Sequence, residues 1–376
     1  MRRTIRAVLP LALAFAGCGT TAPAVDVREA QLESVPPTSE FVAQLDVNKV
    51  IDPASFERWM GMMAQMEEHP ADTGCILPLL QRAGTLTDAM LPGAGPGDED
   101  VMVLISGGVT AADIAACGAK VMGGPQATPP APSVDGVYAM GEGHDQALIA
   151  DIPGGGVVIG TPAGLALGRA PDPAGETIVA TAQFTRLRNL LGAPADAEVY
   201  VLKTIGDEGI SVTGAALSLR RGVTDRYEAV AIAATPDSAA AISVLVMGLP
   251  LLIAELEAKL DMQAAAPDVP PQHTAMLNEV KPLLEAAREA LAEAQVTTEN
   301  DLVRVIVEVD PAKLGPTDLM LVGGMMLFTG RAAAMPMEPG AVSGGETPTE
   351  GMGADYDVPG VPSTTPPALS NQPEVE

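Results

Sequence analysis

The sequence predicts an α+β fold, and three observations carry that prediction. Short apolar runs that alternate with polar residues recur between turn-forming residues, which is typical of antiparallel strands. Longer segments place apolar residues at helical spacing. A pattern of proline, acidic residue and strand that begins at Pro36 recurs at Pro194, which indicates an internal repeat. We therefore predict two halves, residues 36–192 and 193–331, with mainly antiparallel sheets covered by helices.

The first seventeen residues have the composition of an export signal. Arg2, Arg3 and Arg6 precede an apolar run over residues 7–16. That run is too short to span a bilayer and has the flanks of a secretory signal peptide. Residues 1–17 are therefore predicted to be a lipoprotein-type signal peptide, and residues 18–35, which are small and polar, a flexible tether.

The end of this segment carries a family resemblance. Residues 14–18, Ala-Phe-Ala-Gly-Cys, resemble the lipobox of bacterial lipoproteins, in which the cysteine receives a diacylglycerol group and becomes the new N-terminus. The resemblance implies that Cys18 carries lipid, including palmitate, and anchors the protein in the outer membrane, facing the periplasm or the cell surface. An ordinary secretory signal followed by a free cysteine is the alternative, because Phe15 replaces the usual aliphatic residue.

The first half is predicted to begin with a strand over residues 41–47, whose apolar and polar side chains alternate. Asp52 and Pro53 are a typical helix start, and this helix is predicted to extend to about residue 68. A second helix, broken by Gly84, is predicted over residues 76–90, and a third begins with a capping box at Thr110. The remaining elements of this half are strands near residues 101–106, 137–140, 147–152 and 157–161 and a helix near residues 181–191.

Two cysteines remain after Cys18, and they form a candidate pair. An exported chain meets an oxidising compartment, so an even number of cysteines favours a disulfide. Cys75 and Cys117 are both predicted near the starts of helices that flank the strand at residues 101–106. We therefore predict a disulfide between Cys75 and Cys117; two buried thiols that never meet are the alternative.

The second half is predicted to begin with a meander of three strands and to continue into two helices. Thr235 and Pro236 start a helix that extends to about residue 262. Residues 239–254 carry no charge, but Pro250 and the charged residues that follow favour a buried, kinked helix over a membrane span. A return helix over residues 274–294 completes an antiparallel helical hairpin. The strands are predicted over residues 199–205, 211–219, 227–234 and 302–309.

The C-terminal part is predicted to contain one more helix and a disordered tail. Residues 319–331 are apolar. Residues 332–376 contain eight prolines, seven acidic residues and no lysine or arginine. Such a segment has too little apolar surface to offset the entropy of ordering it.

The net charge of the chain limits the classes of partner that it can bind. The formal net charge is −27 at pH 7, which repels nucleic acid. We predict no nucleic-acid partner, attachment to the membrane through the N-terminal lipid, and an unknown protein partner in the envelope.

Each candidate catalytic or ligand-binding motif in the sequence also has a purely structural explanation. Gly154–Gly156 form a hairpin turn rather than a dinucleotide loop, and Ser106 lacks the glycine pattern of a nucleophile elbow. The cluster of Glu142, His144 and Asp145 is compatible with acid–base chemistry, but also with a polar turn. The following positions suggest soft ligands for Cu(I), although their spacing favours a helix core: Met60, Met62, Met63, Met66 and His69.

No catalytic, cofactor-binding or metal-binding residue is therefore predicted. With its lipobox, two strand-first halves and helical pair, the chain resembles uncharacterised envelope lipoproteins of GC-rich, myxobacterial-type genomes, and this resemblance implies no known activity. We expect a lipid-anchored envelope protein with a non-catalytic binding or scaffolding role. A periplasmic lipoprotein that binds a small ligand or Cu(I) is the second hypothesis, and a hydrolase is the third.

Overall fold

The computed structural model describes most of the chain between Val27 and Leu319. The signal segment 1–17, the lipidation candidate Cys18 and the proposed tail 332–376 lie outside these residues, as does most of the helix predicted over residues 319–331. The described ranges are 27–66, 73–93, 99–141, 146–170, 175–192, 194–206, 210–265 and 271–319.

The fold is α+β, and the twelve described strands belong to one sheet whose pairings are all antiparallel. The order across the sheet is β11-β12-β10-β9-β7-β1-β2-β3-β6-β5-β4, with the short β8 paired to β9. The strands are β1 Phe41–Asp46, β2 Ala83–Pro92, β3 Glu99–Gly107, β4 Tyr138–Met140, β5 Ala147–Asp151, β6 Val157–Gly160, β7 Ala197–Val201, β8 Ile205–Gly206, β9 Ser211–Arg220, β10 Asp225–Ala233, β11 Gln295–Glu299 and β12 Leu302–Val309.

Helices cover both faces of this sheet. The helices are α1 Val27–Leu32, α2 Val47–Val50, α3 Pro53–Met66, α4 Ile76–Leu80, α5 Ala111–Gly123, α6 Pro162–Arg169, α7 Ala182–Leu191, α8 Pro236–Ala264 and α9 Pro271–Ala292. One face packs against α2 to α5 in the first half and against α8 and α9 in the second. The other face packs against α1, α6 and α7. Successive strand residues point to opposite faces, so both faces of the sheet contribute to apolar cores.

The two halves of the chain are structural repeats that share this sheet. Each half begins with an antiparallel meander, β1-β2-β3 or β7-β9-β10, and one or two helices follow. A hairpin then returns to the third strand of the meander, β5-β6 beside β3 and β11-β12 beside β10. The first strands of the repeats, β1 and β7, pair with each other and join the halves. The similarity between the sequences at Pro36 and Pro194 therefore marks equivalent strands.

Local signals at helix starts predicted the structure well. The backbone N–H of Ser55 donates to Oδ2 of Asp52 over 2.7 Å at the start of α3. Thr110 and Asp113 form the predicted capping box of α5. The hydroxyl of Thr235 accepts a hydrogen bond from the backbone N–H of Ser238 at the start of α8. Each bond satisfies a backbone donor that the first helical turn leaves unpaired.

The helix predicted over residues 76–90 is wrong in its second part. The helix α4 ends at Leu80, and β2 occupies Ala83–Pro92 between β1 and β3. This strand is buried on both sides: Leu86 contributes to the core on one face and Ala89 to the core on the other. Burial on both sides removes the period-two alternation by which a strand is recognised.

The flexible tether predicted over residues 18–35 is too long. Residues from Val27 onward belong to the fold, because α1 buries Leu32 completely and Val35 follows it into the same core. Arg28 of α1 donates through Nε to Oε1 of Gln44 over 3.1 Å, and the amide of Gln44 donates back to the carbonyl of Arg28 over 2.8 Å. Polar side chains therefore hold this short helix on the sheet.

Candidate functional site

The helix α8 presents a large apolar surface to solvent. It is 29 residues long, and its most apolar 18-residue window is 22% buried. By length and composition alone it is a candidate membrane span. We call its exposed apolar residues the α8 face: Val244, Leu245, Met247, Leu251, Leu252 and Met262. Exposed apolar surface of this kind marks sites that contact proteins or membranes.

The prediction that this helix is buried is wrong. Only one side of α8 packs against the protein, through Ala239, Ile242 and Ser243 near its start and Ile253 further on. The uncharged stretch is apolar around its whole circumference, a pattern typical of buried helices. Nothing in the described part of the chain covers the second side, so Leu251 is 75% exposed.

The orientation of α8 is held at both ends. Near its start, the hydroxyls of Ser243 and of Thr298 in β11 share a hydrogen bond of 2.5 Å. Near its end, Nε of Arg288 in α9 donates to the carboxylate of Glu257 over 3.2 Å, and Lys281 pairs with Asp261 over 2.8 Å. These contacts confirm the antiparallel helical hairpin. They also keep Glu257 and Asp261 beside α9 and the α8 face toward solvent, where Glu255 and Lys259 form an exposed ion pair with each other over 2.8 Å.

The cysteine pair has the geometry of a disulfide. Cys75 lies in a single 3-10 turn before α4, and Cys117 lies in the second turn of α5. Their sulfur atoms are 1.98 Å apart and their Cα atoms 5.6 Å apart, within the range that disulfides require. The structure therefore agrees with the predicted bridge, which joins two helices on one face of the first half.

Asp88 is a buried acid that the sequence did not single out. It lies in β2 between Ala43 of β1 and Val103 of β3, and it is 3% exposed. Among the described residues, its Oδ1 has no hydrogen-bond partner. Burial raises the pKa of Asp88 to about 7, because the apolar surroundings disfavour the carboxylate. The sequence alone does not show that this carboxyl is buried without a partner, because that depends on the strands β1 and β3 on either side of it.

A second buried acid, Glu228 of β10, is fully paired with arginines. Arg220 donates to its Oε2 over 3.0 Å and Arg226 over 3.4 Å, while Arg304 pairs with its other oxygen. Arg304 also donates to the carbonyl of Leu190 in the last turn of α7 over 2.9 Å. A cation at this position compensates the partial negative charge of the helix end. The cluster of Glu228 and its arginines therefore holds the end of α7 against the sheet.

The other residues singled out in the sequence show structural roles or lie outside the described part. Gly154–Gly156 all have positive φ in the turn between β5 and β6, which only glycine adopts easily. Ser106 accepts a hydrogen bond from the backbone of Thr85 over 2.9 Å. Met60 packs against the core of the first half. Outside the described residues lie Glu142, His144, Asp145, His69 and the side chains of Met62, Met63, Met66 and His273.

Comparisons with known proteins identify no relative. No family model, no curated protein and no solved structure matches the chain. Within the described ranges, no group of three or more His, Cys, Asp or Glu side chains is arranged to hold a metal ion. The α8 face is the feature of the described surface that points most directly to a role.

Proposed function

We propose that this protein is a lipid-anchored protein of the cell envelope that acts by docking, as a binding or scaffolding protein, and not by catalysis. The observation that carries the proposal is the α8 face, an apolar surface on a helix whose other side is packed and hydrogen bonded. An exposed apolar patch favours aggregation unless it is covered, so its presence favours a surface that meets a partner.

Three further observations support the proposal. The lipobox-like segment ending at Cys18 resembles that of exported, acylated proteins. The Cys75–Cys117 geometry suits an oxidising compartment outside the cytoplasm. One sheet continues through both repeats and is packed on both faces, which provides the rigid platform that a scaffold requires.

The hydrolase and Cu(I) hypotheses receive less support. Asp88, the carboxyl group in the described part of the chain whose pKa is raised, is buried between two strands, where a substrate has no access. Met60, one of the proposed soft ligands, packs with apolar residues of the core. Neither observation points to chemistry at these positions.

The lipid anchor is tested with Cys18→Ala and with Thr20→Ala as a matched control that leaves the cysteine in place. Wild type and Thr20→Ala should incorporate a palmitate analogue and fractionate with the outer membrane. Cys18→Ala should do neither, because the acyl acceptor is gone. Normal processing and membrane retention of Cys18→Ala would refute the anchor.

The docking role is tested with Leu251→Glu, and the control is Val223→Glu in the turn between β9 and β10, where the side chain is 99% exposed. Both variants should keep the melting temperature of the wild type, since neither side chain is packed in the isolated protein. Only Leu251→Glu should reproduce the envelope defect of a deletion strain. Equal complementation by both variants would contradict a docking role of the α8 face.

A further inference from the structure

The chemistry of the α8 face narrows the kind of partner it fits. Residues 239–254 form sixteen consecutive positions without a charged side chain. The exposed side chains among them are aliphatic or thioether groups, which offer no hydrogen bonds for recognising a specific polar surface. The rest of the protein is strongly acidic. The face is therefore suited to hydrocarbon. The one basic residue of α8, Lys259, is paired with Glu255 over 2.8 Å, so the helix offers no unpaired cation to anionic lipid headgroups.

The packing of α8 decides how it would meet a membrane. Ile242, Ser243 and Ile253 are buried against the protein, and the bond from Ser243 to Thr298 ties the helix to the sheet. A helix that spans a bilayer exposes its circumference to lipid or to other spanning helices. Because α8 is fixed along one side to a polar domain, it can only lie in the membrane surface.

The length of the N-terminal segment places such a surface within reach. Val27, the first residue of α1, is nine residues after Cys18. Nine extended residues span at most about 30 Å. A lipid attached to Cys18 would therefore hold the domain within about 30 Å of the bilayer, which raises the effective concentration for a second, weak contact. Because α1 and α8 cover opposite faces of the sheet, a contact through α8 requires this segment to extend around the domain.

We propose that the α8 face rests in the surface of the same bilayer that holds the lipid of Cys18. This inference rests on the proposed lipid anchor and names the lipid surface as the partner of the α8 face. It also orients the protein. The edge strand β11 lies beside α8, and β4 ends the sheet at the opposite edge. The second repeat would face the membrane, and the β4 edge of the first repeat would point away from it.

A tryptophan placed on the face tests this contact. The chain has one tryptophan, Trp59, so Trp59→Phe provides the background. Leu251→Trp puts the probe on the α8 face, and Val223→Trp puts a control probe at an exposed turn. The acylated full-length proteins are bound to neutral phosphatidylcholine vesicles whose acyl chains are brominated. Quenching at Leu251→Trp should be severalfold greater than at Val223→Trp, and anionic lipid should not increase it.

The remaining outcomes distinguish the possible failures. Vesicle-bound protein with equal, weak quenching of both probes would overturn the inference and leave the anchor intact. Contacts between two copies would also overturn it, if Leu251→Trp emission shifted with protein concentration and was insensitive to brominated lipid. Protein that does not associate with vesicles at all would instead contradict the lipid anchor. Leu251→Glu should abolish the quenching of a Leu245→Trp probe without releasing the acylated protein.

Discussion

Tyr200 donates a hydrogen bond of 2.9 Å to Oε2 of Glu198, and both side chains are buried in β7, the strand that joins the two repeats. The other oxygen of Glu198 accepts from the backbone N–H of Ala195 over 3.0 Å. Burial raises the pKa of Tyr200, and the charge of Glu198 raises it further. The tyrosine hydroxyl therefore stays protonated and serves as a permanent donor to the carboxylate.

Replacing Tyr200 with phenylalanine should weaken the junction between the repeats. The ring would still pack against Phe184, whose ring centroid is 4.5 Å away. The buried Glu198 carboxylate would lose one donor, and a hydrogen bond to a charged group contributes about 1.5–3 kcal/mol. We expect the free energy of unfolding in urea to fall by about that amount. Tyr138→Phe, at a half-buried position in β4, is the control, and an equal effect of both variants would contradict this role.

Asp88→Asn should change how stability depends on pH. The folded-state pKa of Asp88 is about 7, above the ordinary value of 3.8. The folded protein therefore holds the proton more tightly than the unfolded chain does. The resulting stabilisation is complete below about pH 4 and is lost as the pH rises through 7. Asparagine cannot ionise, so the variant should avoid this loss.

The measurement for Asp88 is a series of urea denaturation curves between pH 4 and 8. The variant should become progressively more stable relative to wild type, by up to about 4 kcal/mol at pH 8, at about 1.4 kcal/mol for each unit of pKa shift. The exposed Asp135→Asn is the control. A constant difference between Asp88→Asn and wild type across this range would show that the carboxyl is not buried unpaired.

The sequence predicted those parts of the fold that depend on neighbours along the chain. The helix starts at Asp52, Thr110 and Thr235 were recognised because each side chain bonds its own first turn. The burial of Asp88 depends on β1 and β3, which are distant along the chain. The exposure of α8 depends on which other elements of the protein, or which partner, pack against it. The lack of charge showed that the helix requires apolar contact, but not where that contact is.

The bridge between Cys75 and Cys117 should contribute strongly to stability. It closes a loop with a sequence separation of 42 residues, for which the chain-entropy model gives about 4 kcal/mol. A double variant, Cys75→Ser with Cys117→Ser, should lose stability of that order in chemical denaturation. Reduction of the wild type should have a similar effect. Free thiols at both positions in unreduced, denatured protein would rule the bridge out.

Gly164→Ala should destabilise a helix that the sequence did not predict. Gly164 lies in α6, and a Cβ at this position would overlap the carbonyl oxygen of Val101 in β3. Two backbones meet closely here, and glycine permits that approach because it has no side chain. No element is predicted from the sequence over residues 162–169.

The effect of Gly164→Ala can be separated from the general preference of helices for alanine. Extra atoms in a packed contact cost about 1–3 kcal/mol. In α3, a Cβ added at Gly61 would have nothing within 4 Å of it, so Gly61→Ala should instead stabilise the protein by about 0.5–1 kcal/mol. Denaturation midpoints of the two variants should therefore move in opposite directions from the wild type. Stabilisation by both would mean that α6 does not approach β3 closely in solution.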